Sequence, residues 1–410
     1  DGSLCGSFTD SLRQHGDDQA VVDAPEEHGH QEKPDNRFDA APAAFHVSLD
    51  GIPGSFPPRI GGAQQDREND HWNGQADEGP APVNGTIGYV MTDLFWAVYQ
   101  TPNGKTECPK GYNDGPRQQF TTLFPDNMVR TVVDTQLKQE IETWHPTAEP
   151  DQFPFHEVEG DLSYGLNLDG EIGPNDFTHP NGEQGIDNEV YRAVGCIIGF
   201  RGPDGVEFIY QNKGILDRRY NRMMFELTDV DDLINDADVT VTLYRGMDRL
   251  LTDATGLKAM AGGSQRVDLR WGAKLIRQTQ GQIVNGVLTT EPMAEMVMPW
   301  MNLSVPSIHI FHDMRLQLAL TPTSAEGLIA GYADVDTWYK QLIRNDSTHH
   351  LSNGEISGIS LYKALRRLAD SHPDPETGIN AAISTALDVK LKQVFIVHPS
   401  EDTFSKAVKK

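Results

Sequence analysis

Apolar residues fall without period until about residue 85, and they become dense and aromatic over 89–99. That stretch reads equally as a strand or as a buried helix. Over 126–144 the period is helical. Asp126 is placed to cap the first turn, and Val129, Val132, Val133, Leu137, Ile141 and Trp144 line one face. From about 205 the period changes to two. Val206, Phe208 and Tyr210 alternate, as do Met224 to Leu227 and Val239, Val241 and Leu243. Asn285-Gly286 between two β-rich triplets predicts a hairpin. Alternation over 308–320 predicts a long strand with Ile308, Ile310, His312, Met314, Leu316, Leu318 and Leu320 on one face. Helical spacing returns at 334–343 (Val335, Trp338, Tyr339, Leu342) and at 359–371 (Leu361, Leu365, Leu368, Ala369). A strand is expected near 389–397.

These elements predict an α+β protein. Its centre is an antiparallel β-sandwich-like domain over 205–322. A mixed region at 86–204 precedes it, and a helical region at 323–410, ending in a strand, follows. Residues 1–85 form a long irregular N-terminal arm. They hold sixteen acids, five bases and five histidines, and too few apolar side chains to offset the entropy of ordering alone. The arm, where ordered, is therefore expected to lie on another surface of this chain, on a protein partner or on another copy. Within it, Glu26-Glu27-His28-Gly29-His30 reads as a solvated patch before it reads as a metal site.

Charge narrows the function classes. Sixty acids against 34 bases leave −26, the wrong sign for a nucleic-acid binder or for an anionic membrane surface. No run of 18 apolar residues is present, so no membrane span is expected. The chain starts at Asp1 without methionine, which suits a trimmed, exported protein. Of three cysteines, Cys108 and Cys196 are the preferred disulfide pair, with Cys5 left over.

Residues 167–188 carry an internal echo at a twelve-residue offset. Asp169-Gly170-Glu171-Ile172-Gly173-Pro174-Asn175-Asp176 aligns with Asn181-Gly182-Glu183-Gln184-Gly185-Ile186-Asp187-Asn188. Calcium prefers six to eight oxygens in flexible geometry. Asp and Asn supply short oxygens, and glycine lets the chain wrap an ion. The candidate ligands are Asn167, Asp169, Glu171, Asn175, Asp176, Asn181, Glu183, Asp187 and Asn188. The echo resembles the Asp/Gly-rich calcium loops of thrombospondin type 3 and dockerin-like repeats. That resemblance implies bound calcium, and the segment's place between the helical region and the β domain gives the ion an expected structural role at a domain junction. In an EF-hand alignment, Gly165 stands at position one and Asp176 at position twelve, which departs from that pattern. The competing reading is a pair of Asx/Gly turns that reverse the chain. A second acidic run, Asp229, Asp231, Asp232, Asp236 and Asp238, reads as a solvated loop.

Catalytic motifs are missing: the chain has no GxSxG, GxxxxGK[ST] or HExxH. The first expectation is thus a non-enzymatic, calcium-stabilised subunit of an extracellular or envelope assembly. The alternative is a secreted hydrolase or metal-dependent oxidoreductase whose His, Asp and Glu come from separate strands. His309 and His312 are its candidates, and on a strand they face opposite ways. A carbohydrate-binding module would need exposed aromatics such as Trp271 or Trp300.

Overall fold

The computed structural model describes residues 82–101, 106–111, 113–114, 154–201, 212–216, 222–270, 275–302, 305–342 and 358–400. Nearly all of the N-terminal arm, the expected helix at 126–144 and the alternation at 206–210 lie outside these residues.

The strands are β1 (Ile87–Trp96), β2 (Phe177–Thr178), β3 (Gln184–Ile186), β4 (Arg222–Thr228), β5 (Asp236–Gly246), β6 (Gly263–Arg266) and β7 (Arg277–Val284). They continue as β8 (Val287–Thr290), β9 (Met293–Asn302), β10 (Val305–Leu320), β11 (Ser324–Asp334), β12 (Ser371–Pro373) and β13 (Asn380–Val397). The helices are α1 (Glu189–Val194), α2 (Val335–Leu342) and α3 (Gly358–Arg367).

Eight strands pair in the order β1-β4-β5-β7-β8-β10-β11-β13, and β13 pairs back onto β1. Every link in that ring is antiparallel. The fold is therefore a closed β-barrel, and it corrects the expected α+β sandwich. Alternating strands suit either architecture, and only closure separates them. Closure rests on Tyr89 opposite Gln393 and Leu94 opposite Val389, nearly the whole described length apart. The ring draws strands from each of the 86–204, 205–322 and 323–410 segments.

The barrel interior is filled. Ile87, Tyr89, Met91, Leu94 and Trp96 of β1 face Phe225 and Leu227 of β4, Val239, Val241 and Leu243 of β5, and Leu387, Val389 and Leu391 of β13, all buried. Large Leu318 and Leu320 on β10 stand opposite small Gly327 and Ala325 on β11, the complementarity that lets side chains fill a narrow barrel. The Asn285-Gly286 turn is present, with both residues at positive φ (51° and 80°), as a two-residue hairpin of this hand requires.

The helices at 334–343 and 359–371 form as α2 and α3. Asp334 Oδ1 accepts the Thr337 N–H at 2.6 Å and starts α2 directly at the end of β11. Val335, Trp338 and Tyr339 of α2 and Leu361 and Leu365 of α3 are buried in the main core.

One disulfide joins Cys108 to Cys196, as expected, with their Cα atoms 5.5 Å apart and a sequence separation of 88. Beside it, buried Glu107 receives both the backbone N–H and the hydroxyl of Thr101, and Arg201 approaches it at 3.8 Å. Replacing both cysteines by alanine is expected to cost about 2–4 kcal/mol, because a long loop is freed in the unfolded chain. Urea unfolding of the two proteins side by side measures it.

Candidate functional site

The 163–189 segment lies along the outside of the barrel. Leu168, with Tyr164 and Leu166, packs on Leu328, Ala330 and Tyr332 of β11 and on Ala382 and Ala386 of β13. Asn188 and Arg315 tie it to the barrel, and Asp187 braces it internally. Asn188 Nδ2 donates to the carbonyls of Ala97 and Tyr164 and to Ser163 Oγ, while its Oδ1 accepts the Ala386 N–H. Asp187 Oδ2 accepts the Leu168 N–H at 2.6 Å. Arg315 Nη1 of β10 reaches the Asn167 carbonyl at 3.1 Å.

The expected calcium ligands are used for turning the chain. Asn167 Oδ1 accepts the Gly170 N–H at 2.6 Å and Asp169 Oδ1 the Glu171 N–H at 2.8 Å. Asp176 Oδ2 accepts the Gly173 N–H at 2.5 Å, and Asn181 Oδ1 the Glu183 N–H at 3.0 Å. Asn175 gives its backbone carbonyl to Arg192 at 2.7 Å. Glu171 and Glu183 are exposed. Among the described residues, no three His, Cys, Asp or Glu side chains gather as a metal would require. Asp169 and Asn181 each close an Asx turn. Short side-chain oxygens satisfy the local N–H groups that the glycine turns leave unpaired. Gly170, Gly182 and Gly185, at φ of 84°, 97° and 81°, make those turns.

What the segment covers is a set of titratable groups around Tyr332. Burial raises the Asp187 carboxyl to about 6, and Asp169 and Asp176 add repulsion. Burial likewise raises Glu189 to about 7, although Arg192 Nε lies 3.2 Å from its carboxylate. Asp370 is raised, again chiefly by burial, while its Oδ1 accepts the Ser384 N–H at 2.8 Å. The Tyr332 hydroxyl is raised by burial and by the charges of Asp187, Asp370 and Asp169.

Next to this set, two residues hold positive φ without being glycine: Asp313 (50°) in β10 and His372 (51°) in β12. They are partners, with His372 Nε2 at 3.2 Å from Asp313 Oδ2. His372 Nδ1 meets Ser371 Oγ at 3.0 Å. The His372 ring stacks on His312 at 4.5 Å and lies 5.4 Å from Tyr332. Burial and the neighbouring His312 lower the His372 pKa, and Asp313 opposes them. Two strained, mutually bonded residues beside near-neutral carboxyls form an acid–base surface, the kind of place where strain concentrates.

Asp313 also corrects the expected strand face. The β10–β11 register shifts between His312 and Arg315. This bulge reverses the alternation, so His309 and Phe311 point inward with Met314, Leu316 and Leu318, and all of these are buried. Ile308, Ile310 and His312 are only partly covered. His309 and His312 do face opposite ways, but His309 is the one in the core, against Trp300 and Trp338. Trp300 is buried too, which removes it as a carbohydrate platform. Trp271 lies outside the described residues. Glu189, Tyr332 and the Asp370–His372 pair sit on three separate segments, and no linear pattern joins them.

Comparison with protein-family models, with curated proteins and with solved structures finds no match, so the site is read from its own geometry.

Asp187→Asn tests the repulsive charge. A carboxyl whose folded pKa is raised from 3.8 to about 6 contributes stability below its unfolded value, and that stability is lost as pH rises through 6. The substitution is expected to stabilise the protein by about 1–2 kcal/mol at pH 8, after allowance for solvent screening, and by almost nothing at pH 4. Chemical unfolding at the two pH values decides it.

Proposed function

We propose that this chain is an exported structural or binding subunit of a larger assembly, built on a solid β-barrel. The observation that supports this reading most is the filled interior. Side chains from all the ring strands occupy the space in which a ligand-carrying barrel would hold its guest. The outer site is consistent with it. Its carboxylates Asp187 and Asp370 receive backbone N–H groups and so hold the 163–189 segment and β13 in place. Export is supported by the Cys108–Cys196 disulfide, a bond that persists in oxidising compartments. Among the described residues no helix is long and apolar enough to cross a membrane. The test is the mass of the native protein, cross-linked in its own cells or medium. A subunit runs well above the 45.4 kDa of one chain, and a native mass of one chain removes the reading.

A second reading, a hydrolase, is favoured by one observation: His372 lies between the Ser371 hydroxyl and the Asp313 carboxylate. General acid–base catalysis by that imidazole would be worth about 10²–10⁴ in rate. A panel of activated esters and glycosides, assayed with wild type and His372→Ala, tests it. Turnover that is absent, or that His372→Ala leaves unchanged, eliminates this reading.

A further inference from the structure

We infer that copies of this chain associate head to tail, with the loop that follows β5 in one copy seated on the acidic turn that precedes β5 in the next. This inference rests on the subunit reading and names the surface.

The two surfaces lie at opposite ends of one strand. β5 spans Asp236–Gly246, eleven residues, so its ends are about 35 Å apart. After β5 the chain forms a small, rigid knuckle. Thr252 bridges to Ala259, the Asp253 N–H donates to the Lys258 carbonyl, and the Met260 N–H donates to the Leu251 carbonyl. Asp253 Oδ1 ties the tip by accepting the Thr255 hydroxyl at 2.7 Å and the Leu257 N–H at 3.3 Å. This bracing holds three apolar side chains out in solvent: Leu257 at 76% exposure, Leu251 at 49% and Met260 at 48%. Arg249 and Lys258 are exposed among them. Exposed Phe395 and Val397 of β13 pair with Ser264 and Arg266 of β6, whose Gly263 abuts Leu251. Single exposed apolar residues are ordinary, but an apolar group on a pre-ordered loop loses little entropy when it docks.

The other end of β5 is its complement. The turn from β4 carries exposed Asp229, Asp231, Asp232 and Asp238, with no base between 228 and 238. Asp236 Oδ2 accepts the Asp231 N–H and Asp232 Oδ1 the Ile234 N–H, so this turn is also ordered. It is joined to the β7–β8 hairpin, where the Gly286 N–H donates to the Ile234 carbonyl and the Asn285 N–H to Asn235 Oδ1. Exposed Ile234 and Val284 give this end an apolar floor among the aspartates. An apolar knuckle meets an apolar floor ringed by anions. With Asp248 paired to Arg266, the knuckle's exposed Arg249 and Lys258 outnumber its one remaining acid, Asp253, and so favour the aspartates of the turn. Because the surfaces differ, the contact is heterologous and extends into a ring or a filament.

Sedimentation velocity of the purified full chain, over a concentration series in moderate salt, tests this. Wild type is expected to form a concentration-dependent ladder. Leu257→Asp disables the knuckle, with Lys258→Glu as a milder second variant, and Ile234→Asp, which removes the floor and adds no cation, disables the turn. Each is expected to be monomeric alone, with association weakened at least tenfold. An equimolar mixture of a knuckle variant and the turn variant retains one good surface of each kind. It should give a 1:1 dimer that does not grow. A wild-type chain that stays monomeric, variants that still form the ladder, or a mixture that stays monomeric each overturns the inference. A large native mass together with a monomeric purified chain leaves the subunit reading standing and removes this surface.

Discussion

Gly327→Ala is expected to destabilise the barrel by roughly 4 kcal/mol or more, a large share of the 5–15 kcal/mol that holds a domain folded. Gly327 sits in β11 opposite Leu318 of β10 and Val389 of β13, within the ring. A Cβ placed there would lie 2.0 Å from the Gln317 carbonyl oxygen and 3.0 Å from Leu318 Cα. Both obstacles are backbone of a paired strand, so no rotamer change relieves the clash. Either β10 and β11 separate and lose ladder hydrogen bonds, or the strand twists away from β13. Overpacking that moves only side chains costs about 1–3 kcal/mol, and moving a ladder costs more. Gly170→Ala is the control. Gly170 also has positive φ (84°), but nothing lies within 4 Å of its Cβ position. It should lose only the conformational penalty, about 1–2 kcal/mol. Thermal unfolding of the two variants separates the effects. A Gly327→Ala protein melting within a few degrees of wild type would mean that β10 and β11 do not approach as closely as described.

The same strands mark where the fold was legible. Local rules were enough for the Asn285-Gly286 turn, whose positive φ at both residues few other pairs tolerate. They were enough for α2 and α3, whose apolar faces repeat at helical spacing. Alternation located β4, β5 and β10. It left open which strand pairs with which, and so whether the sheet closes. Trp96 opposite Leu387 is a contact that no local period encodes. Nor did alternation carry through Asp313. One residue at positive φ inserts a bulge, and every side chain before it changes sides. His309 was thereby placed on the solvent face when it belongs to the core.

The outer site divides the same way. Asp169, Asp187 and Asn188 drew notice because they recur at a fixed offset, and all three help seat the 163–189 segment or surround Tyr332. Both halves of the repeat turn the chain. An Asx turn and a calcium loop need the same short oxygens and the same glycines, so composition alone does not separate them. Here one oxygen each of Asn167, Asp169 and Asp176 accepts an N–H group two or three residues away. Asp370 and His372 were overlooked because a three-residue edge strand has no period to read.

His309→Leu is expected to stabilise the protein at every pH and to do so most in acid. His309 is fully buried, with Trp300 4.3 Å, Trp338 5.3 Å, Phe311 6.2 Å and Trp96 6.5 Å from it, ring to ring, and Met298 across the strand pair. None of these groups titrates. Neither ring nitrogen has a hydrogen-bond partner among the described residues. A buried, unsatisfied N–H costs about 1–3 kcal/mol, so a leucine of similar volume should recover about that much at pH 8. Burial also lowers the imidazole pKa from 6.5 to about 3. The folded value is depressed, so the neutral ring contributes its full stability above pH 6.5, and that stability is lost as pH falls toward 3. At about 1.4 kcal/mol per pH unit, the loss reaches roughly 2.7 kcal/mol by pH 4.5. Asp187 and Glu189, raised to about 6 and 7, act with the opposite sign over part of this window. The readout is therefore the difference between wild type and variant in urea unfolding, which cancels them. That difference should widen by about 2–3 kcal/mol from pH 8 to pH 4.5. Parallel pH profiles would show that the ring is hydrated or paired in solution, and that the aromatic cluster under α2 is less tightly closed than its ring distances imply.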